Sequence, residues 1–406
     1  MSRDLRLVIM GILGRTPLAG VSWQVLHYLE GFRRLGYDIY YIEDTGGWAY
    51  NPRRKTDDND EYTYAINCQY AVNYLAKLMS SFGLQDAWAY RSRVDGRVFG
   101  LSETQVSRLF ENADALVNLT GSTCLSEEHT RIPVRIYLET DPVMRQIEVV
   151  RGDRKAIDLL AAHTHHFTYG ENLGAPDCGV PATRFNYLPT RQPIVLDWWT
   201  ADGGLPSELD SHPELRPCFT TIAKWRQPGK DIEWEGETYY WSKHVEFLKF
   251  IDLPRRTQGE FELALAWHDQ KDEEVIPQLT SFGWNVVDAI SLSLDIVPYR
   301  DYILGSRGEF TVAKDQNIRL RSGWFSDRSA CYLSAGKPVV TQDTAFGNIL
   351  PTGRGLFAFR NMEDILTAID TIESNYEDHC RAAREIAEDY FAAEKVLGSV
   401  MERVGL

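Results

Sequence analysis

The 406-residue sequence predicts an α/β protein of two successive doubly wound domains facing a central cleft. Three observations predict this. The length exceeds one ordinary core and suits two domains of roughly 150–200 residues. The N-terminal passage reads strand, glycine-rich turn, helix, strand, which is a βαβ unit and implies a parallel sheet. The same alternation restarts after about Pro189–Pro217, where prolines and acidic residues cluster and hydrophobic periodicity disappears.

Taken in order, Leu5–Met10 is a buried-strand run and Gly11–Gly20 a loop. Val21, Val25, Leu26, Leu29, Phe32 and Leu35 recur at helical spacing, Gly36 ends that helix, and Ile39–Ile42 is the second strand. Ser102 and Gln105 form a capping box before a helix through Phe110. Ala115–Leu119, Val134–Leu138 and Phe167–Tyr169 read as further strands. In the second half Cys218–Ala223 is a strand, and Ile232–Tyr240 a hairpin about Gly236. Ser242 caps a helix to Ile251, and Phe261–Trp267, Trp284–Val287 and Ile296–Pro298 continue the sheet. Ser326 opens a helix that Gly336 closes, Pro338–Thr341 is a strand, Asn361 with Asp364 caps the next helix, and a helical segment from about Tyr376 closes the chain. The expected boundaries are 1–190 for the N-terminal domain, 191–216 for the passage between and 217–390 for the C-terminal domain. The last residues, 391–406, form a helix able to pack back on the N-terminal domain.

Hydrophobic residues make up 44% of the chain, enough for a packed interior, and the formal net charge is −15. That charge repels phosphate backbones and anionic lipid, so nucleic acid is not an expected partner, though a local basic pocket can still hold a nucleotide. The six cysteines lie far apart with no C-x-x-C spacing, which points away from zinc and disulfides and toward a reducing cytoplasm. No apolar run reaches the length of a membrane span, so any membrane contact is expected to be peripheral.

The strongest chemical feature is Ser322-Gly-Trp-Phe-Ser-Asp-Arg-Ser, running into Gly336-Lys-Pro-Val-Val. A helix opening at Ser326 leaves its first N–H groups free at the positive end of its dipole, a seat for a diphosphate, and Arg328 and Ser329 add donors. The other reading is a serine that merely caps a core helix.

This helix, with Gln342-Asp-Thr-Ala-Phe-Gly347 and Gly353-Arg-Gly355 beyond it, resembles the donor-binding half of GT-B glycosyltransferases over about residues 306–370. The resemblance implies two Rossmann-like domains and transfer of a sugar from a nucleotide diphosphate sugar, such as a UDP-sugar, with the donor as substrate and no cofactor or metal. By it, Ser322, Ser326, Asp327, Arg328, Gln342, Asp343 and Thr344 belong to the donor site. The chain departs from the large retaining branch of these enzymes, whose two spaced glutamates fall here at Gly323 and Cys331. Glu309 is the substitute candidate for the missing carboxylate, or else a solvated loop residue. Lys224 at a strand end is a phosphate partner or a surface lysine; Lys243 and Lys314 are weaker candidates, and His268 is placed toward the nucleotide. Gly11, Gly14 and Gly20 resemble the acceptor-side loop, although a tight turn explains them equally, and they do not match G-x-G-x-x-G.

Transfer requires charge stabilisation of the leaving diphosphate, and an inverting course also a base for the acceptor hydroxyl. Asp141, at the end of a buried strand, is the first candidate base, with Glu139 and Glu43 as rivals. His163, His165 and His166 do not share one face, so no metal is expected there. Among the chain's 11 Trp, 20 Tyr and 17 Phe, residues Trp23, Trp48, Trp198, Trp199, Trp225 and Trp324 fall at element ends near the expected cleft. Two other functions share the scaffold: a non-hydrolysing nucleotide-sugar epimerase and a non-catalytic nucleotide-binding protein. A nicotinamide-dependent oxidoreductase ranks last because the glycine fingerprint is missing. The sequence names no acceptor.

Overall fold

The computed structural model describes residues 5–54, 61–201, 203–209, 211, 213–227, 229–266 and 274–406, with only the backbone of 61–63. The first sheet contains β1 (Arg6–Met10), β2 (Asp38–Glu43), β3 (Trp88–Arg91), β4 (Val98–Gly100), β5 (Ala115–Leu119), β6 (Val134–Glu139), β7 (His165–Thr168) and β8 (Tyr187–Pro189), in the order β4-β3-β2-β1-β5-β6-β7-β8. All its pairs are parallel except β3–β4. The second sheet contains β9 (Phe219–Lys224), β12 (Phe261–Ala266), β13 (Asn285–Asp288), β14 (Gly308–Thr311), β15 (Val339–Gln342) and β16 (Leu356–Phe359), in the order β13-β12-β9-β14-β15-β16, all parallel. A hairpin of β10 (Ile232–Trp234) and β11 (Glu237–Tyr239) turns at Glu235 and Gly236, both with positive φ. Each sheet is doubly wound, and its order reverses beside β1 and β5 in one and beside β9 and β14 in the other. Loops leaving the carboxyl ends at those points flank the crevices where such sheets take ligands.

The helices form where apolar spacing and caps agree. Helix Ala19–Arg34 buries Val25, Leu26, Leu29 and Phe32, each burial worth roughly 1.5–3 kcal/mol. Ser102 with Gln105, and Asn361 with Asp364, make the expected capping boxes of Glu103–Asn112 and Met362–Ser374. Between Glu43 and Ser102, where the sequence reading assigns no element, the structure places helix Glu61–Ser81 and strands β3 and β4. The buried residues Tyr64, Cys68, Ala71, Leu75, Leu78 and Met79 of that helix recur at helical spacing.

Four expectations are corrected. Ile296–Pro298 is not a strand but opens helix Ile296–Gly305, because the Asp295 carboxylate caps Val297 N and a proline fits a helix's first turn. Ser242 does not cap a helix to Ile251; its hydroxyl accepts from Gln227 N, and only the short helix His244–Phe247 and a 3₁₀ turn follow. The closing helical segment is two helices, Tyr376–Tyr390 and Ala393–Val404, separated at Phe391 and Ala392, where Ile194 N donates to Phe391 O at 2.7 Å. The second of these packs on Ala19–Arg34 so closely that a Cβ on Gly31 would lie 2.6 Å from Leu397 Cδ1. Trp23, Trp198 and Trp199 are buried around His27 rather than lining a cleft, and Trp225 is buried as well.

Candidate active site

The loops at the carboxyl ends of the two sheets meet. After β6, Thr140 O accepts from Trp324 Nε1 at 2.9 Å, and Asp141 pairs with Lys314, which follows β14. After β7, Asn172 N donates to Ser322 O at 3.1 Å. Gln24 Nε2 donates to Asp327 at 3.2 Å. Gly323, at φ 79°, is needed there, since a Cβ would stand 2.4 Å from Asn172 N. Thr120, Val143, Arg321 and Ala345, four of the five described non-glycine residues with positive φ, lie in these same loops. Such backbone costs about 1–3 kcal/mol per residue and gathers at functional sites.

The residues that meet form a cationic wall. Lys314 is 8% exposed, and its ammonium lies 3.3 Å from the centroid of the Trp241 ring; Lys230 lies over the same ring at 4.7 Å. Lys243 stands over Trp324 at 5.8 Å. Burial holds the Lys243 ammonium well below its usual range, reinforced by Arg328 and Lys314 and opposed by Glu309 and Asp141. Burial lowers Lys314 as well, against the raising effect of Asp141. An ammonium desolvated in this way is set to bind an anion. Beside this wall helix Asp327–Ser334 begins. Its N-cap Ser326 makes no side-chain capping bond, so the first-turn N–H groups lack that partner, and Ser329 Oγ is buried with no hydrogen-bond partner among the described residues. Helix N–H groups without a capping side chain, a spare hydroxyl and nearby ammonium groups together suit a diphosphate. Burial pushes the Asp327 carboxyl up to about 6, against a hydrogen bond from Gln24.

Several sequence-chosen residues already have partners within the protein. Arg328 does not point into open space: its guanidinium donates to Glu309 at 2.7 Å, to Thr311 Oγ1 at 3.0 Å and to Ile222 O. Glu309 lies within β14, fully buried, so it is the counter-ion of Arg328 and not a solvated loop residue. Ser322 donates to Asn317 Oδ1 at 2.9 Å and Thr344 to Trp324 O at 2.6 Å. Asp343 is paired with Arg360, and Gln342 donates to Glu246 at 2.8 Å. Lys224 is the last residue of β9, not the one beyond it; it is exposed, with no ion pair among the described residues. His268 lies outside the described residues.

On the N-terminal side, Glu43 accepts from Gly14 N and Arg15 N, both at 2.6 Å, and from Tyr41 Oη at 2.9 Å. Burial raises its carboxyl to about 7, against those three bonds. It therefore ties down the Gly11–Gly20 loop. A Cβ at Gly14 would stand 3.0 Å from the Tyr90 ring, and one at Gly11 3.2 Å from Tyr41 Oη, so close packing accounts for both glycines; at Gly20 the nearest atom, Tyr299 Oη, is 3.4 Å away. Glu139 is buried, accepts from Thr168 at 2.6 Å and Gln146 at 2.8 Å, and burial raises it to about 7. Of the three candidate bases, Asp141 alone is substantially open, with 39% of its side chain exposed. His163 and His166 bond to the carbonyls of Leu159 and Leu160 and are structural. Asp44, Glu128 and His129 come within 4.8 Å of one another, but Arg91 and Arg93 already balance that charge. Lys230 and Trp241 escaped the sequence reading. Their signal, a basic loop beside a hairpin rich in aromatics, has meaning only once the hairpin folds against the segment after β14, where Tyr240 N donates to Asp315 and Arg319 to Thr238 O.

No family model and no curated protein sequence matches the chain. Solved structures do. An alpha-glucosyltransferase in complex with UDP and a 13-mer DNA containing an A:G mismatch aligns over 100% of both chains, at TM-score 0.60 and 8% identity. AviGT4, a glycosyltransferase involved in avilamycin A biosynthesis, aligns over 98% of this chain and 97% of its own, at 0.54 and 10%. Anabaena Alr3699/HepE in complex with UDP and glucose aligns over 99% of each chain, at 0.53 and 10%. The fold is thus the GT-B fold, with two Rossmann-like domains, as the sequence predicts.

Proposed function

We propose that this protein is a glycosyltransferase that moves a hexose from a UDP-sugar to an acceptor bound on the N-terminal side. The observation that carries this reading is the anion seat at the head of Asp327–Ser334, with Lys243 and Lys314 beside it and the N-terminal Asp141 opposite. Full-length similarity to UDP-bound glycosyltransferases supports the choice of donor. In this reading residues 1–190 hold the acceptor and 217–390 the donor. Lys224, Lys243, Lys314, Ser326 and Ser329 meet the diphosphate, and the lysines offset its charge as it leaves, with no metal or cofactor required. Asp327 faces the sugar. Asp141 takes the acceptor proton; Glu43 and Glu139 position loops. The neighbour that carries DNA does not extend to this chain a nucleic-acid acceptor, which the charge of −15 disfavours.

No helix among the described residues is long and apolar enough to cross a membrane. Work in a reducing cytoplasm belongs to the same reading, supported by six unpaired cysteines. The test is a melting screen with UDP-glucose and other UDP-hexoses, followed by UDP release over an acceptor panel with and without EDTA. A ligand-specific rise in Tm and EDTA-resistant turnover are expected. Absence of any shift or turnover with every UDP-hexose would overturn the assignment.

A further inference from the structure

Asp141 and Lys314 stand on opposite walls of the cleft, one after β6 of the first sheet and the other after β14 of the second. Their side chains are unequally constrained. The Lys314 side chain is 11% exposed and seated against the Trp241 ring, whose own Nε1 donates to Gln227 at 2.8 Å. The Asp141 side chain is 39% exposed. If the pair opens, the carboxylate moves and the ammonium stays. The surroundings favour such an exchange. Lys230, Lys243 and Lys314 gather here, Glu309 is spent on Arg328, and Asp141 is the only carboxylate paired with any of these three lysines among the described residues. Asp231 and Asp327 lie nearby but accept from Trp241 N and Gln24, so a single ion-paired carboxylate meets these three lysines, whereas a diphosphate matches them.

We propose that Asp141 stands in for a donor phosphate on Lys314, and that the incoming diphosphate displaces it and frees its carboxylate for the acceptor. This rests on the donor reading above. A carboxylate bonded to an ammonium is not free to reach an acceptor hydroxyl. Once the diphosphate has taken Lys314, that contact is gone and the Asp141 carboxylate can turn to the acceptor. The acceptor O–H proton then passes to Asp141 as the acceptor oxygen bonds the sugar C1. The C1–O bond to the diphosphate breaks, and its electron pair leaves on the phosphate oxygen held by Lys314. The exchange makes binding ordered, with the donor first.

The test is calorimetric titration of UDP-glucose into wild type, D141N, K314M and the double variant, each checked by its melting curve. D141N is expected to bind about threefold to fivefold tighter than wild type, the scale of one partly exposed competing ion pair. K314M is expected to bind about tenfold more weakly. In the double variant the gain from D141N disappears, since Asp141 then has no lysine to occupy. A purely structural pair gives the opposite sign: D141N binds no tighter than wild type, and that result overturns the exchange while leaving the donor reading intact. Failure of wild type to bind UDP-glucose overturns both. Should D141N not fold, D141S carries the same comparison.

Discussion

Arg328 and Glu309 exchange a 2.7 Å bond where Glu309 has no access to water and Arg328 little. Removing one partner leaves the other charge buried and unpaired. Arg328→Ala is therefore expected to cost about 3–5 kcal/mol in urea denaturation, while the double variant E309Q/R328M recovers most of it. Glu139 supplies the pH counterpart. Burial raises its folded value to about 7, above the ordinary 4.5, so the fold takes up a proton that the unfolded chain has released. The stability Glu139 contributes is whole below about pH 4.5 and is lost as pH rises toward 7. Both of its hydrogen bonds end on one oxygen, so a glutamine can keep them. Glu139→Gln is expected to match wild type in Tm near pH 5 and to be about 1–3 kcal/mol more stable at pH 8. A variant no more stable at pH 8 would show that Glu139 is not ionised there at a cost.

At the scale of elements, helix Asp327–Ser334 combines a missing cap with a spare hydroxyl, and both are liabilities unless a ligand uses them. Ser329→Ala is expected to leave Tm unchanged or slightly raised while weakening UDP-glucose binding about fivefold, read by calorimetry. The helix was legible in sequence, since Ser326, Gly336 and Pro338 mark its ends. The partners of its side chains were not. Arg328 looks like a phosphate ligand on a helix diagram, and only the placement of β14 alongside turns it toward Glu309. Ile296–Pro298 was misread for a related reason. A short apolar run fits a strand or a buried helix equally, and the Asp295 cap decides between them.

For the molecule as a whole, the closing helix Ala393–Val404 joins the two halves of the chain. It buries Leu397, Val400 and Met401, and it lies against Gly31 of the first helix. Truncation after Phe391 is expected to lower stability by about 5 kcal/mol or more, from roughly 1.5–3 kcal/mol for each large apolar side chain, and to increase dye binding by the exposed face. A truncated chain melting with wild type would show that the helix does not hold the halves together. Gly31→Leu probes the same contact without removing it, because the added side chain enters space that Leu397 occupies.

The sequence by itself determined the two doubly wound sheets, the alternation that builds them, the helix at Ser326 and the loops that leave the carboxyl ends. Those properties are local: hydrophobic period, caps and turn residues act within a few positions of one another. The tertiary structure alone decided which charged residues face the cleft. Glu43, Glu309, Arg328 and Asp343 spend their charge on neighbours brought in from distant segments, while Lys243, Lys314 and Asp141 are left facing the cleft. A side chain's availability depends on what long-range packing sets beside it, and no spacing along one strand or helix encodes that.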